Sequence, residues 1–87
     1  MASTNSEPEV PDYEVPAQWQ PEAWGGYARY SLDGLMLGTV APRGEGWVAA
    51  HIDRRIQLGS QLVQVADGAE LPSAVEAVEA AIQAAAR

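Results

Sequence analysis

Four prolines punctuate the first 22 residues, MASTNSEPEVPDYEVPAQWQPE, at positions 8, 11, 16 and 21. Each removes a backbone donor and biases its neighbour toward extended geometry. The last three recur every five residues, and Glu-Val-Pro occurs twice, ending at Pro11 and Pro16. Too little apolar surface accompanies them to offset ordering entropy, so a flexible, acidic, proline-rich arm is expected over residues 1–22. The remaining stretch, 23–87, must supply the whole core. A domain of about 65 residues buries only about 60% of its unfolded surface and needs help to be stable. The usual help is a disulfide, a structural metal or oligomerisation. Cysteine is absent and His51 is the one histidine, so disulfides and thiolate zinc sites are excluded and no metal or cofactor is expected. Self-association as a homodimer, either across a free sheet edge or through an alanine face of the C-terminal helix, is the remaining device.

Charge narrows the partners. The net charge is −7, and five of the twelve acids (Glu7, Glu9, Asp12, Glu14 and Glu22) precede residue 23 with no basic residue among them. From residue 23 onward seven acids face five arginines, and the chain has no lysine. Such a chain repels nucleic acid, anionic membranes and phosphorylated substrates, so no direct nucleic-acid or membrane binding is expected. Arginine-only basic usage with abundant alanine points to a GC-rich bacterial or phage coding sequence. The first 30 residues show neither a basic leader nor an apolar segment, which makes cytoplasmic residence the expectation.

Alternation gives the strands. Tyr27–Leu32 and Leu35–Val40 flank Asp33-Gly34, the strongest short-range hairpin signal because both turn positions favour positive φ. A two-residue turn would set Leu32 opposite Leu35, Tyr30 opposite Leu37 and Ala28 opposite Thr39, on what is then the expected core face. Residues 42–46 read as a loop and 47–52 as a third strand, turning at Asp53-Arg54-Arg55. A fourth strand is expected within 56–65, kinked at Gly59, and a faint echo of 32–39 in 52–60 fits two successive hairpins. Asp67-Gly68 should end it. Ser73 and Glu76 have capping-box spacing after Pro72, and residues 74–86 are strong helix formers. Val75, Val78 and Ile82 make an apolar stripe led by Leu71. The fold class is therefore α+β: an antiparallel three- to four-stranded meander followed by one C-terminal helix packed on one face, ββββα in order.

No constellation carries catalytic chemistry. His51 shares a strand face with Trp47 and Ala49, and no nucleophile or carboxylate partner can be placed beside it. Glu76 and Glu79 read as solvated helix residues, Asp33 and Asp67 as turn residues. Residues 44–46 lack the features of a phosphate loop. The candidates for partner contacts are the aromatics Tyr13, Trp19 and Trp24 in or beside the arm, anchors of a short linear motif, with the alternative that Trp24 and Trp19 fold back onto the small sheet and enlarge its core. Arg54 and Arg55 could hold a partner carboxylate at their turn. Ala77 and Ala81, with Ala74 and Ala84, form a smooth back to the helix that suits a second helix.

In topology alone, the strand–strand–strand–helix order resembles small DNA-binding sheets of the plant transcription-factor and integrase arm-binding types. Those sheets present basic residues where this chain is acidic, and fold likeness does not carry function. The leading expectation is a small acidic protein-binding module that is not an enzyme. An acidic nucleic-acid mimic, of the kind phages use to inhibit host proteins, comes second. A small enzyme comes last.

Overall fold

A computed structural model describes residues 13–86. Five strands, β1 (Trp19–Pro21), β2 (Tyr27–Tyr30), β3 (Met36–Arg43), β4 (Gly46–Ile52) and β5 (Leu62–Ala69), precede one helix, α1 (Leu71–Ala85). The strands pair antiparallel in chain order and α1 covers one face of the sheet over β3, β4 and β5. This is the expected α+β meander with its C-terminal helix, plus one strand more than the sequence suggested. The added strand is β1, which lies inside the stretch read as arm and pairs Trp19 with Arg29 and Pro21 with Tyr27. Its anchor is Trp19, only 3% exposed, which supplies core volume that a small sheet otherwise lacks. The flexibility expected of residues 1–12 lies outside the described residues.

The core face is the opposite of the one expected. Gly34 N–H donates to Ser31 O at 3.0 Å and Ser31 N–H donates to Leu35 O at 2.8 Å, so Leu32 and Asp33 are the central turn residues. Gly34 follows them at φ 90°. That is a three-residue hairpin loop, not the two-residue Asp-Gly turn. The Ser31 hydroxyl holds it, pairing with the Asp33 carboxylate and accepting the Leu35 N–H. One extra loop residue puts Tyr30 opposite Met36, and an unopposed Leu37 then restores the expected Ala28–Thr39 pair. The leucines near the turn are consequently peripheral, Leu32 being 98% exposed. Tyr27, Arg29, Gly38 and Val40 face the helix instead, in register with Trp47, Ala49 and His51.

Small residues set how closely helix and sheet approach. Val40, Ala49, Ala74, Val75 and Val78 are buried together with Trp19. Gly38 lies directly beneath Val78: a Cβ there would sit 2.5 Å from Val78 Cγ1 and 2.8 Å from the Ala50 carbonyl oxygen. Ala74 is thus a core residue, Ala77 and Ala81 are partly covered, and Ala84 is exposed. The four alanines do not form one free face, because the buried stripe is wider than Val75, Val78 and Ile82 alone.

Three boundaries differ from expectation. Residues 42–46 are not a loop: β3 runs to Arg43, and Gly44-Glu45 alone makes the turn, with Gly44 at φ 61°. The strand sought in 56–65 is β5, displaced to Leu62–Ala69. Residues 53–61 form a loop closed by Asp53 N–H donating to Gln61 O at 2.7 Å. Asp67-Gly68 does not end β5 but bulges it, and the backbone of Gly68 packs against Gly46 with no room for a Cβ there. The helix starts at Leu71 with Glu70 as N-cap and no side-chain cap, so the Ser73–Glu76 capping box does not form. Leu71 packs on the core and draws the start back, and Pro72 tolerates a first-turn position.

Candidate functional site

The sequence candidates separate into a core residue and several dispersed surface positions. Trp19 belongs to the core. Its Nε1–H donates to Glu79 Oε2 at 2.9 Å, and Arg29 Nε donates to the same oxygen at 2.8 Å. One carboxylate therefore ties α1 to β1 and β2, and Trp19 is not a surface anchor for a partner. Trp24 is 51% exposed, its ring occupying the space that a side chain on Gly26 would take.

Arg54 and Arg55 part company. Arg55 Nε and Nη2 donate to the two oxygens of Asp53 at 2.9 and 3.0 Å, and its backbone N–H donates to Asp53 Oδ1. These bonds hold the Asp53 carboxyl down at about 2. Arg55 is thus engaged within its own turn, whereas Arg54 is exposed. Both border a cavity of about 410 Å³ beneath the C-terminal end of α1, with His51, Ile82 and Leu37 on its walls. His51 is 8% exposed and lies under the helix beside Ala49, as its strand register requires. Its imidazole makes no hydrogen bond to another described side chain.

Helix geometry places the alanines over a sheet edge. α1 runs along the strands, with Leu71 beside Trp47 at one end and Ala85 beside Ile52 at the other. Val78 points down at Gly38 and Glu79 points toward β1 and β2. At about 100° per residue, Ala77 and Ala81 then lie on the flank opposite Glu79, toward β5. Strand β5 pairs only with β4, so its outer edge has no strand partner among the described residues, although the Ser60 hydroxyl accepts the Leu62 N–H at 3.1 Å and donates to the Leu62 carbonyl at 3.5 Å. Leu62 is 53% and Val63 38% exposed along that edge. Val63, opposite His51, lies on the helix side, so it and the alanine flank border one shallow apolar ledge.

A second cavity of about 410 Å³ opens at the other end of the helix, between Tyr13, Glu45, Trp47, Glu70, Leu71 and Pro72. Of these, only Tyr13 stood out in the sequence. Trp47 is held by Tyr27, their ring centroids 6.0 Å apart, and Val15 packs on the core and brings Tyr13 to the helix. Burial and the carboxylates of Glu76 and Glu79 push the Tyr13 phenol upward. The spacing Glu45-x-Trp47 after a tight turn was a usable signal for two of these residues. Bringing Tyr13 and Glu70 to them requires the tertiary fold. No described helix is long and apolar enough to cross a membrane. Comparison of the chain with family models, curated proteins and solved structures finds no match in any of the three.

Proposed function

We propose that the chain is a protein-binding module that accepts an extended segment of a partner along β5. The observation that carries this reading is the character of that edge. Edge strands are ordinarily guarded by lysine, proline or inward-pointing charge. The edge sequence Leu62-Val63-Gln64-Val65-Ala66 has none of these. An added strand would gain main-chain hydrogen bonds from the edge and specificity from pockets for alternate side chains. The alanine flank of α1 leaves height for those side chains on the helix side. Bulges at Val65 and at Asp67-Gly68, with the Ser60 hydroxyl on Leu62, limit pairing to a few residues around Gln64, which suits a short segment.

The test is a photo-crosslinking amino acid placed at Val63 in the full chain, against the same group at Ser73 on the exposed back of α1. The expected result is one discrete protein adduct from position 63, absent from 73 and lost when Leu62→Lys is added. An adduct of twice the chain mass would identify the partner strand as a second copy and support homodimerisation. Adducts that are equal at both positions, or none at 63, would refute the reading.

A further inference from the structure

We propose that the cavity between Tyr13, Trp47 and the start of α1 binds an organic cation, an alkyl-bearing ammonium or guanidinium group. The protein-binding reading enters only in naming a partner's basic side chain as the carrier of that group. At about 410 Å³ the cavity is within the range of roughly 300–1,000 Å³ typical of small-ligand sites. Its walls are two aromatic rings with Leu71 and Pro72, and its rim carries the carboxylates of Glu45 and Glu70. Aromatic faces are negative at their centres and attract cations that bring apolar surface with them. Neither rim carboxylate makes an ion pair with a described basic side chain, and no arginine lines the cavity.

Competing ligands fit less well. A helix N-terminus favours anions, with an effective charge of roughly +0.5. Two full carboxylates outweigh that charge, Pro72 has no N–H to offer, and the Ala74 N–H already donates to Glu70 O at 2.9 Å. A divalent metal wants a shell of oxygens, which walls of tryptophan, leucine and proline do not supply. The field around Tyr13, from Glu76 and Glu79, has the same sign as the rim.

The site is also built in advance of any ligand. Val15 is seated on the core and Trp19 N–H donates to Pro16 O at 2.9 Å, which fixes the segment carrying Tyr13. The Gly44-Glu45 turn sets Glu45 beside Trp47, and Gly46 is pinned against Gly68. The overall charge of −7 would raise the encounter rate with a cation.

The experiment is an NMR titration of the full chain, following the Trp47 indole and Tyr13 ring signals. The probes are tetramethylammonium, the similarly sized neutral tert-butanol, and the amide of acetyl-arginine as a basic side chain. Saturable shifts are expected at millimolar tetramethylammonium, with tert-butanol about tenfold weaker. The rim variant Glu45→Gln/Glu70→Gln, whose substitutions are exposed and spare the core, should weaken tetramethylammonium about five- to tenfold. Added salt should weaken it as well. Equal binding of both small probes, no shift at high millimolar concentration, or an unaffected rim variant would each overturn the cation site. Binding of acetyl-arginine amide at least as tight as tetramethylammonium assigns the cation to a protein side chain. Tetramethylammonium binding without it leaves the cation site standing for a free small molecule and counts against the protein-side-chain source alone.

Discussion

Replacing Glu79 by alanine tests how the helix is fixed to the sheet. One oxygen, Glu79 Oε2, accepts from Trp19 Nε1 at 2.9 Å and from Arg29 Nε at 2.8 Å. Hydrogen bonds to charged groups contribute about 1.5–3 kcal/mol when one partner is removed. Two such bonds would suggest more, but the Glu79 side chain is 30% exposed, and water can replace part of what is lost. Arg29, at 16%, is the partner left worse off. Alanine also has the higher helix propensity, which returns a few tenths of a kcal/mol. The net expectation is a loss of about 2 kcal/mol. A domain of this size has about 4–11 kcal/mol in total, so the loss is a large fraction of it. The melting midpoint should fall by about 8–16 °C. Urea denaturation followed by far-ultraviolet dichroism and by tryptophan fluorescence measures the change. Glu79→Gln, which keeps an acceptor without charge, should lose about half as much. A Glu79→Ala loss below about 0.5 kcal/mol would refute the reasoning, since that is what an ordinary surface substitution costs. So would a double-mutant cycle with Arg29→Ala whose coupling is near zero.

Trp19→Ala should destabilise the protein by about 3–5 kcal/mol, whereas the half-exposed Trp24→Ala should cost about 1 kcal/mol. The order of the two denaturation midpoints decides this. Gly38→Ala should cost at least about 1–3 kcal/mol by chemical denaturation, because the new methyl meets Val78 and the Ala50 carbonyl in a packed interface. Asp53 should titrate near 2, below its ordinary 3.8, by carboxyl NMR. Its contribution to stability is therefore full above 3.8 and is lost as pH falls toward about 2. Arg55→Gln should return the midpoint toward 3.8, and a wild-type midpoint already there would contradict the Asp53–Arg55 pairing.

What the sequence made legible is what local patterning controls. The meander, the helix and the shared face of Trp47, Ala49 and His51 all follow from period-2 and period-3.6 alternation. The errors lie where a local signal admits two geometries. Asp33-Gly34 fits a two-residue turn and equally the end of a three-residue loop, and Ser31 decides between them. Beyond Tyr30 the register is nonetheless the expected one, and the core face differs from expectation because in the sequence the leucines near the turn outweigh Tyr27 and Val40, the side on which the helix packs. Asp67-Gly68 fits a strand end and equally a bulge, and the paired strand decides. Trp19 stands among prolines that argue for disorder, and what decides its place is the core it joins and the carboxylate of Glu79, sixty residues away. The cavity around Trp47 was illegible for the same reason. Its walls come from Tyr13, the β3–β4 turn and the helix start, which meet only once the sheet has formed.

The two interaction devices that the sequence suggested separately, an open sheet edge and an alanine helix face, become neighbours through one carboxylate. Glu79 turns the helix so that Val78 meets Gly38, and this rotation lays Ala77 and Ala81 toward β5. Were the helix turned by one residue, a glutamate would stand on that ledge, and the edge would be guarded by charge as edges commonly are. The acids instead gather at the opposite flank and at the helix start, where Glu70 and Glu45 flank the aromatic cavity. An uncharged ledge and an acidic, aromatic hollow thus lie on the same side of the sheet. The helix runs antiparallel to β5, so a segment paired with that edge would pass near the ledge along the helix, and continuing past Ala69 it would come to the end where the cavity opens. A partner combining a short uncharged extended stretch with a basic residue beyond it satisfies both surfaces at once. Linking the two contacts makes the second intramolecular, so two individually weak sites can together give a specific complex.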